Sequence, residues 1–251
     1  MTSAFTRDLK AEMKEVDHLV LSNLKAWRHE FSPYLNLMDK DQTWLNLPAT
    51  ILSIYNYLGM GKKLSLAMAS IFKLVYLANT IHSLVKNDEE GQRYDQELQF
   101  NILLGDYLFG RILQLLLETG AGDLLDILAE TICEVNEGMA LKCTLKDKHI
   151  LYIEKTRGSL YAAAFETGAH MAGKKDDLIN VYRQLGYSLG MCLELINEEE
   201  SVIEAQLCIQ RSKNLLRRLN HENNIVNSTL EKGITELYNL LFKEDQEAAV
   251  M

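Results

Sequence analysis

Apolar residues recur every three or four positions along nearly the whole chain, which predicts helix after helix. Over residues 6–30 the apolar positions Leu9, Met13, Val16, Leu19, Val20, Leu24 and Trp27 form one helical face. A break is expected over 31–44. The next helix is expected to start near Pro48, since proline suits a first turn, and to stop at Gly59 and Gly61. Residues 64–86 are apolar nearly all round, the mark of a central helix. A polar stretch at 87–97 reads as a loop. Further helical patterns cover 98–120, 123–142, 148–173, 176–201, 201–220 and 224–244.

The only prolines are Pro33 and Pro48, and strand patterns and hairpin turns are missing. The expectation is an all-α protein of roughly nine to eleven helices, with residues 1–251 forming one domain.

Composition narrows the functions. A net charge of −9 argues against a nucleic-acid partner. The basic cluster Arg211, Lys213, Arg217 and Arg218 reads as a solvated helix face. Cys133, Cys143, Cys192 and Cys208 form no CxxC pair and no zinc spacing, so reduced thiols and a cytoplasmic location are expected. The first residues lack an apolar signal core. No apolar stretch is expected to reach the roughly 18 residues of a membrane span, and so no integral membrane segment is expected.

Candidate chemistry lies where polar groups interrupt apolar helices. Asp88, Glu89 and Glu90 follow the helix 64–86, where carboxylates oppose the helix dipole unless a cation compensates them. Magnesium is one such cation, and a solvated acidic loop is the plain alternative. Residues 197–201, with Glu198 and Glu199, repeat that character at the end of a second apolar helix. Lys155 and Thr156 precede a stretch of small residues, so the ammonium is either a phosphate ligand or a surface charge beside a tight helix contact. Asp106 is an acid in an apolar segment, and a buried acid needs partners.

In their order these segments resemble the trans-isoprenyl (polyprenyl) diphosphate synthase family. Residues 77–91 are similar to its first aspartate-rich motif, 100–116 to its Gly-Asp-Tyr-Leu segment, 132–142 to its Glu-Gly helix, 152–173 to its Lys-Thr helix, and 185–201 to the entry into its second aspartate-rich motif. The resemblance runs from about residue 47 to 201. It implies a helical bundle around a central cavity. It also implies magnesium ligands at Asp88, Glu89, Glu198 and Glu199, and diphosphate contacts at Lys155, Thr156, Asp106 and Arg93.

The departures are equally specific. The first motif reads Asn87-Asp88-Glu89-Glu90-Gly91 and the second Asn197-Glu198-Glu199-Glu200-Ser201. Residues 41–47, where the family carries basic ligands for isopentenyl diphosphate, hold no basic residue, and the arginine pair after the first motif is reduced to Arg93. Without that electrostatic clamp no catalytic residue is assigned. The chain therefore looks like the non-catalytic small subunit of a heterodimeric synthase, similar to component I of heptaprenyl or hexaprenyl diphosphate synthases. Such a subunit pairs with a catalytic large subunit through helices around 101–118 and 123–141, leaves a homodimer open when isolated, and needs no cofactor alone, with magnesium open to the complex. Phe72, Tyr76, Phe100, Tyr107 and Phe109 would line a tunnel wall or pack the core. Two other functions stay open: a divergent, magnesium-dependent prenyltransferase, and a homodimeric prenyl-lipid-binding or scaffolding protein.

Overall fold

A computed structural model of the chain describes residues 4–84, 96–144, 149–223 and 228–248, and contains no strand among them. The expected first helix is several pieces: α1 (Ala4–Asp8), α2 (Lys10–Asn23), a 3-10 turn at Lys25–Trp27, and α3 (Arg28–Met38). The Ser22 hydroxyl and Asn23 amide both donate to the Leu19 carbonyl, and such local bonds compete with the helix ladder.

The expected break at 31–44 is mostly helical. α3 contains Pro33, and α4 (Gln42–Tyr57) begins six residues before Pro48. Asp41 sets that start, because its carboxylate accepts the Trp44 N–H at 3.1 Å and caps the helix. α5 (Lys62–Ser83) and α6 (Gln96–Glu118) follow, then α7 (Leu125–Thr144), α8 (His149–Ile153), α9 (Ser159–Met171), α10 (Asp176–Asn197), α11 (Val202–Asn223) and α12 (Thr229–Ala248).

One core cluster runs from Phe5 of α1 to Leu241 of α12. α5 sits against α2, α4 and α6, while α10 sits between α9 and α11. Phe72 and Tyr76 are buried core residues, whereas Phe100 is exposed on α6. The α9–α10 contact is very close. A Cβ at Gly186 would lie 2.4 Å from the Tyr161 carbonyl oxygen, and one at Gly190 would lie 2.4 Å from the Tyr161 ring.

By length and composition two helical stretches, Lys62–Ser83 and Gln99–Glu118, do meet the requirement for a membrane span. This corrects the expectation from the sequence that no apolar stretch would be long enough. The apolar window of Lys62–Ser83 is 83% buried inside the bundle, as befits a core helix; that of Gln99–Glu118 is only 33% buried.

Candidate functional site

Three helices bring their polar residues together inside the bundle. Glu194 of α10 is fully buried between Leu193 and Leu195. Its carboxylate accepts the Thr43 hydroxyl of α4 at 2.7 Å and the Tyr161 hydroxyl of α9 at 2.9 Å. The Arg157 guanidinium lies 3.4 Å from it and also donates to Glu198. Beyond Glu198, the His149 imidazole stands 3.8 Å from Glu198 and 3.6 Å from Glu200. On the other side Tyr76 of α5 donates to Asp41 at 2.7 Å.

The electrostatics follow from burial and pairing. Burial raises the Glu194 carboxyl above its usual range, against the pull of Arg157, Thr43 and Tyr161. Burial works against the charge on Arg157, yet Glu194, Tyr76 and Glu198 hold its proton more tightly than usual. Tyr161 is raised well above the ordinary phenol value by burial and by Glu194. The result is a closed ion pair with satisfied hydrogen bonds, in which one guanidinium serves two glutamates.

Arg157 reaches this position because the backbone widens. Residues Glu154–Gly158 form a single π turn, and the Ser159 N–H reaches back to the Glu154 carbonyl. The Thr156 hydroxyl donates to the Tyr152 carbonyl and the Ser159 hydroxyl to the Lys155 carbonyl, both at 2.6 Å. Lys155 meets Glu137 of α7 at 2.8 Å. It lines an open cleft of about 360 Å³ with Glu134, Glu154, Arg183 and Tyr187. The Glu137-Gly138 and Lys155-Thr156 pairs thus pack on each other, and a Cβ at Gly138 would lie 2.7 Å from the Lys155 Cβ.

The remaining candidates scatter. Asp106 is exposed on α6, 3.4 Å from His82. Glu199 is exposed and holds a left-handed φ of 53° as the chain leaves α10. Asp88, Glu89 and Arg93 lie outside the described residues. Arg157 and Glu194 were passed over in the sequence. Their signal was available: an acid between leucines and a guanidinium within a small-residue helix both require partners.

The residues at the end of α10 do not fit a magnesium ion. The Glu198 carboxylate is taken by a guanidinium that would repel a cation, and no metal-binding group of three or more His, Cys, Asp or Glu side chains occurs among the described residues. The buried amide groups of Asn79, and Nδ2 of Asn197, have no hydrogen-bond partner among the described residues.

A second buried cation stands on α5. The Lys73 ammonium is 1% exposed, lies 4.1 Å above the Trp44 ring and binds Asp17 of α2 at 2.6 Å. Burial lowers its proton affinity below that of an ordinary lysine, while Asp17 opposes the shift. Asp17→Ala is expected to cost about 2 kcal/mol at pH 7, below the full value for a buried pair because Asp17 is half exposed. A lowered lysine favours the folded state as pH rises, so the deficit should close toward alkaline pH in urea unfolding.

Comparison with known proteins agrees with this architecture. The polyprenyl synthetase family model matches residues 79–223, more than half of the chain, and the protein belongs to that family. Over 146 residues it is 26% identical to heptaprenyl diphosphate synthase component 2 of Geobacillus stearothermophilus, a match covering 52% of this chain and 45% of that protein. It is 25% identical over 148 residues to geranylfarnesyl diphosphate synthase of Natronomonas pharaonis, covering 52% and 43%. The chain thus spans less than half the length of these curated relatives. Among solved structures, a polyprenyl synthase from Caulobacter crescentus superposes with a TM-score of 0.74 at 16% identity, over 95% of this chain and 97% of that one. A geranyl diphosphate synthase small subunit from Antirrhinum majus superposes with a TM-score of 0.64 at 17% identity, over 93% and 96%. Both likenesses concern the fold.

Proposed function

We propose that this chain is a non-catalytic small subunit of a heterodimeric polyprenyl diphosphate synthase, supporting elongation from isopentenyl diphosphate by a catalytic partner. The observation that carries this reading is the closed ion pair. Arg157 pairs with both Glu194 and Glu198 at the end of α10, and Glu198 is one of the positions where the family resemblance calls for a magnesium ligand. Lys155 is committed to Glu137. A carboxylate bound to a guanidinium is a poor ligand for a metal that must help a diphosphate depart. In this reading the partner holds magnesium and both substrates. The small-subunit structure from Antirrhinum majus and the relative named as component 2 support an assembly of unlike chains. A cytoplasmic location belongs to the same reading, consistent with the free thiols of Cys133, Cys192 and Cys208.

The test is prenyl transfer with radiolabelled isopentenyl diphosphate, an allylic primer and magnesium, using this protein alone. The expected result is no elongation. Elongation that vanishes in Glu198→Ala or Lys155→Ala would make it a divergent prenyltransferase instead.

A further inference from the structure

α11 carries a pattern that the candidate site does not use. Ala205, Ile209, Ser212, Leu216 and Leu219 are buried, so the opposite side of this helix faces out. A side that faces water is ordinarily polar, and Arg211, Asn214 and Arg218 on it are. Its first turns are not. Ile203 is 71% exposed and Leu207 66%, with Val202 at 53% beside them.

Charge is segregated along the same helix. Glu199 and Glu200 lead into it and Glu204 lies in its first turn, while Arg211, Arg217 and Arg218 are exposed on its later half. That order suits the helix dipole, and it also makes the outer side complementary to itself when reversed. Lys213 turns onto the Tyr238 ring at 3.6 Å, and Arg218 lies 3.7 Å from Glu222. Glu204 and Arg211 have no ion-pair partner among the described residues. Arg211 donates instead to the neutral Gln184 side chain at 3.2 Å. Seven residues separate Glu204 from Arg211, so the two lie within about 20° of each other around the helix, on one flank of Leu207.

We infer that the outer side of α11 docks a second copy of this chain, helix against antiparallel helix, with the two-fold axis beside Leu207. Leu207 then meets its own copy, flanked by Ile203 from each chain. Glu204 comes level, to within about 1.5 Å along the axis, with Arg211 of the other copy. The symmetry makes that pair twice, both times on the same flank of the apolar contact. Set parallel, the two helices would bring like charges together, so the charges select the reversed setting. So few apolar side chains fall short of the roughly 800 Å² per partner of a standard interface, which makes the dimer weak and reversible. The inference does not rest on the subunit reading and leaves the surfaces of α6 and α7 untouched.

The two-fold axis makes the test specific. The background is Cys133→Ser, Cys143→Ser and Cys208→Ser, which keeps only the buried Cys192. In it, Leu207→Cys should cross-link to its own copy under mild oxidation with diamide at about 100 µM protein, because the axis brings the two thiols within disulfide reach. Asn214→Cys is exposed on the same side but would stand about 21 Å along the axis from its copy, and should not cross-link. At about 50 mM salt, adding Glu204→Arg should slow the Leu207→Cys cross-link at least about tenfold, and adding Arg211→Glu to that should restore the rate to within about threefold. Three results would each overturn the inference: no cross-link from Leu207→Cys, an equal rate from Asn214→Cys, or a rate indifferent to the two charge reversals. None of them reads turnover, so failure here is separable from failure of the non-catalytic role.

Discussion

Arg157→Ala is expected to lose about 4 kcal/mol of folding stability at pH 8, a large share of the roughly 5–15 kcal/mol that holds an average domain folded. The loss comes from Glu194, whose carboxylate is fully buried and would keep only Thr43 and Tyr161 as partners. A buried carboxylate without its cation takes up a proton instead. Its proton affinity in the folded state is already raised, so the folded state gains on the unfolded one as pH falls. The deficit of Arg157→Ala should therefore be largest at pH 8 and shrink toward pH 5. Urea unfolding followed by circular dichroism at both values checks the sign. Arg157→Met combined with Glu194→Gln removes both charges and keeps hydrogen-bonding capacity toward Thr43 and Tyr161. It should recover most of the loss. A single variant as stable as wild type at pH 8 would mean that the pair contributes little.

The second large effect concerns space. Gly186→Ala places a methyl 2.4 Å from the Tyr161 carbonyl oxygen, well inside contact distance and against backbone that cannot rotate away. Relief requires α9 and α10 to separate. The expected cost is about 3 kcal/mol, measured as a fall in the urea midpoint at unchanged slope. The displacement should also pull Tyr161 from Glu194, so the variant should share part of the pH dependence of Arg157→Ala. Gly59→Ala is a useful contrast. Nothing lies within 4 Å of its added Cβ, and only its left-handed backbone, at a φ of 74°, resists the change.

Much of the fold was readable because helix formation leaves a local trace. The apolar spacing of 64–86 and 176–201 matched buried helices to within a turn or two. Pro48 misled because proline also fits inside α4, where Asp41 sets the start six residues earlier by capping the Trp44 N–H. The candidate site was less legible. Lys155 and Arg157 are two residues apart, and no composition rule says which one turns inward. That depends on the single wide turn between them, held by Thr156 and Ser159 hydroxyls that any helix might carry. Attention to acids at helix ends passed over Glu194, one turn earlier in the same helix. Asp106 drew notice as an acid in an apolar segment, but Leu104 and Leu108 turn into the core while Asp106 faces outward with Leu103. Sequence periodicity cannot tell a seam covered by its own chain from one awaiting another.

The turn at Glu154–Gly158 also bears on how this chain tolerates change in length. A π turn closes its hydrogen bond one residue later than an α turn, so it stores one extra residue without shifting the helices on either side. Elsewhere in the packed interior, losing one residue would rotate every following side chain by about 100° and carry buried leucines into water. Here α8 and α9 can keep their present faces across a one-residue deletion, because the surplus already lies in the turn. What such a deletion changes is which side chain points at Glu194. Insertion and deletion, rather than point substitution, are therefore the changes by which this helix exchanges an inward cation for an outward one while the bundle around it stays in register.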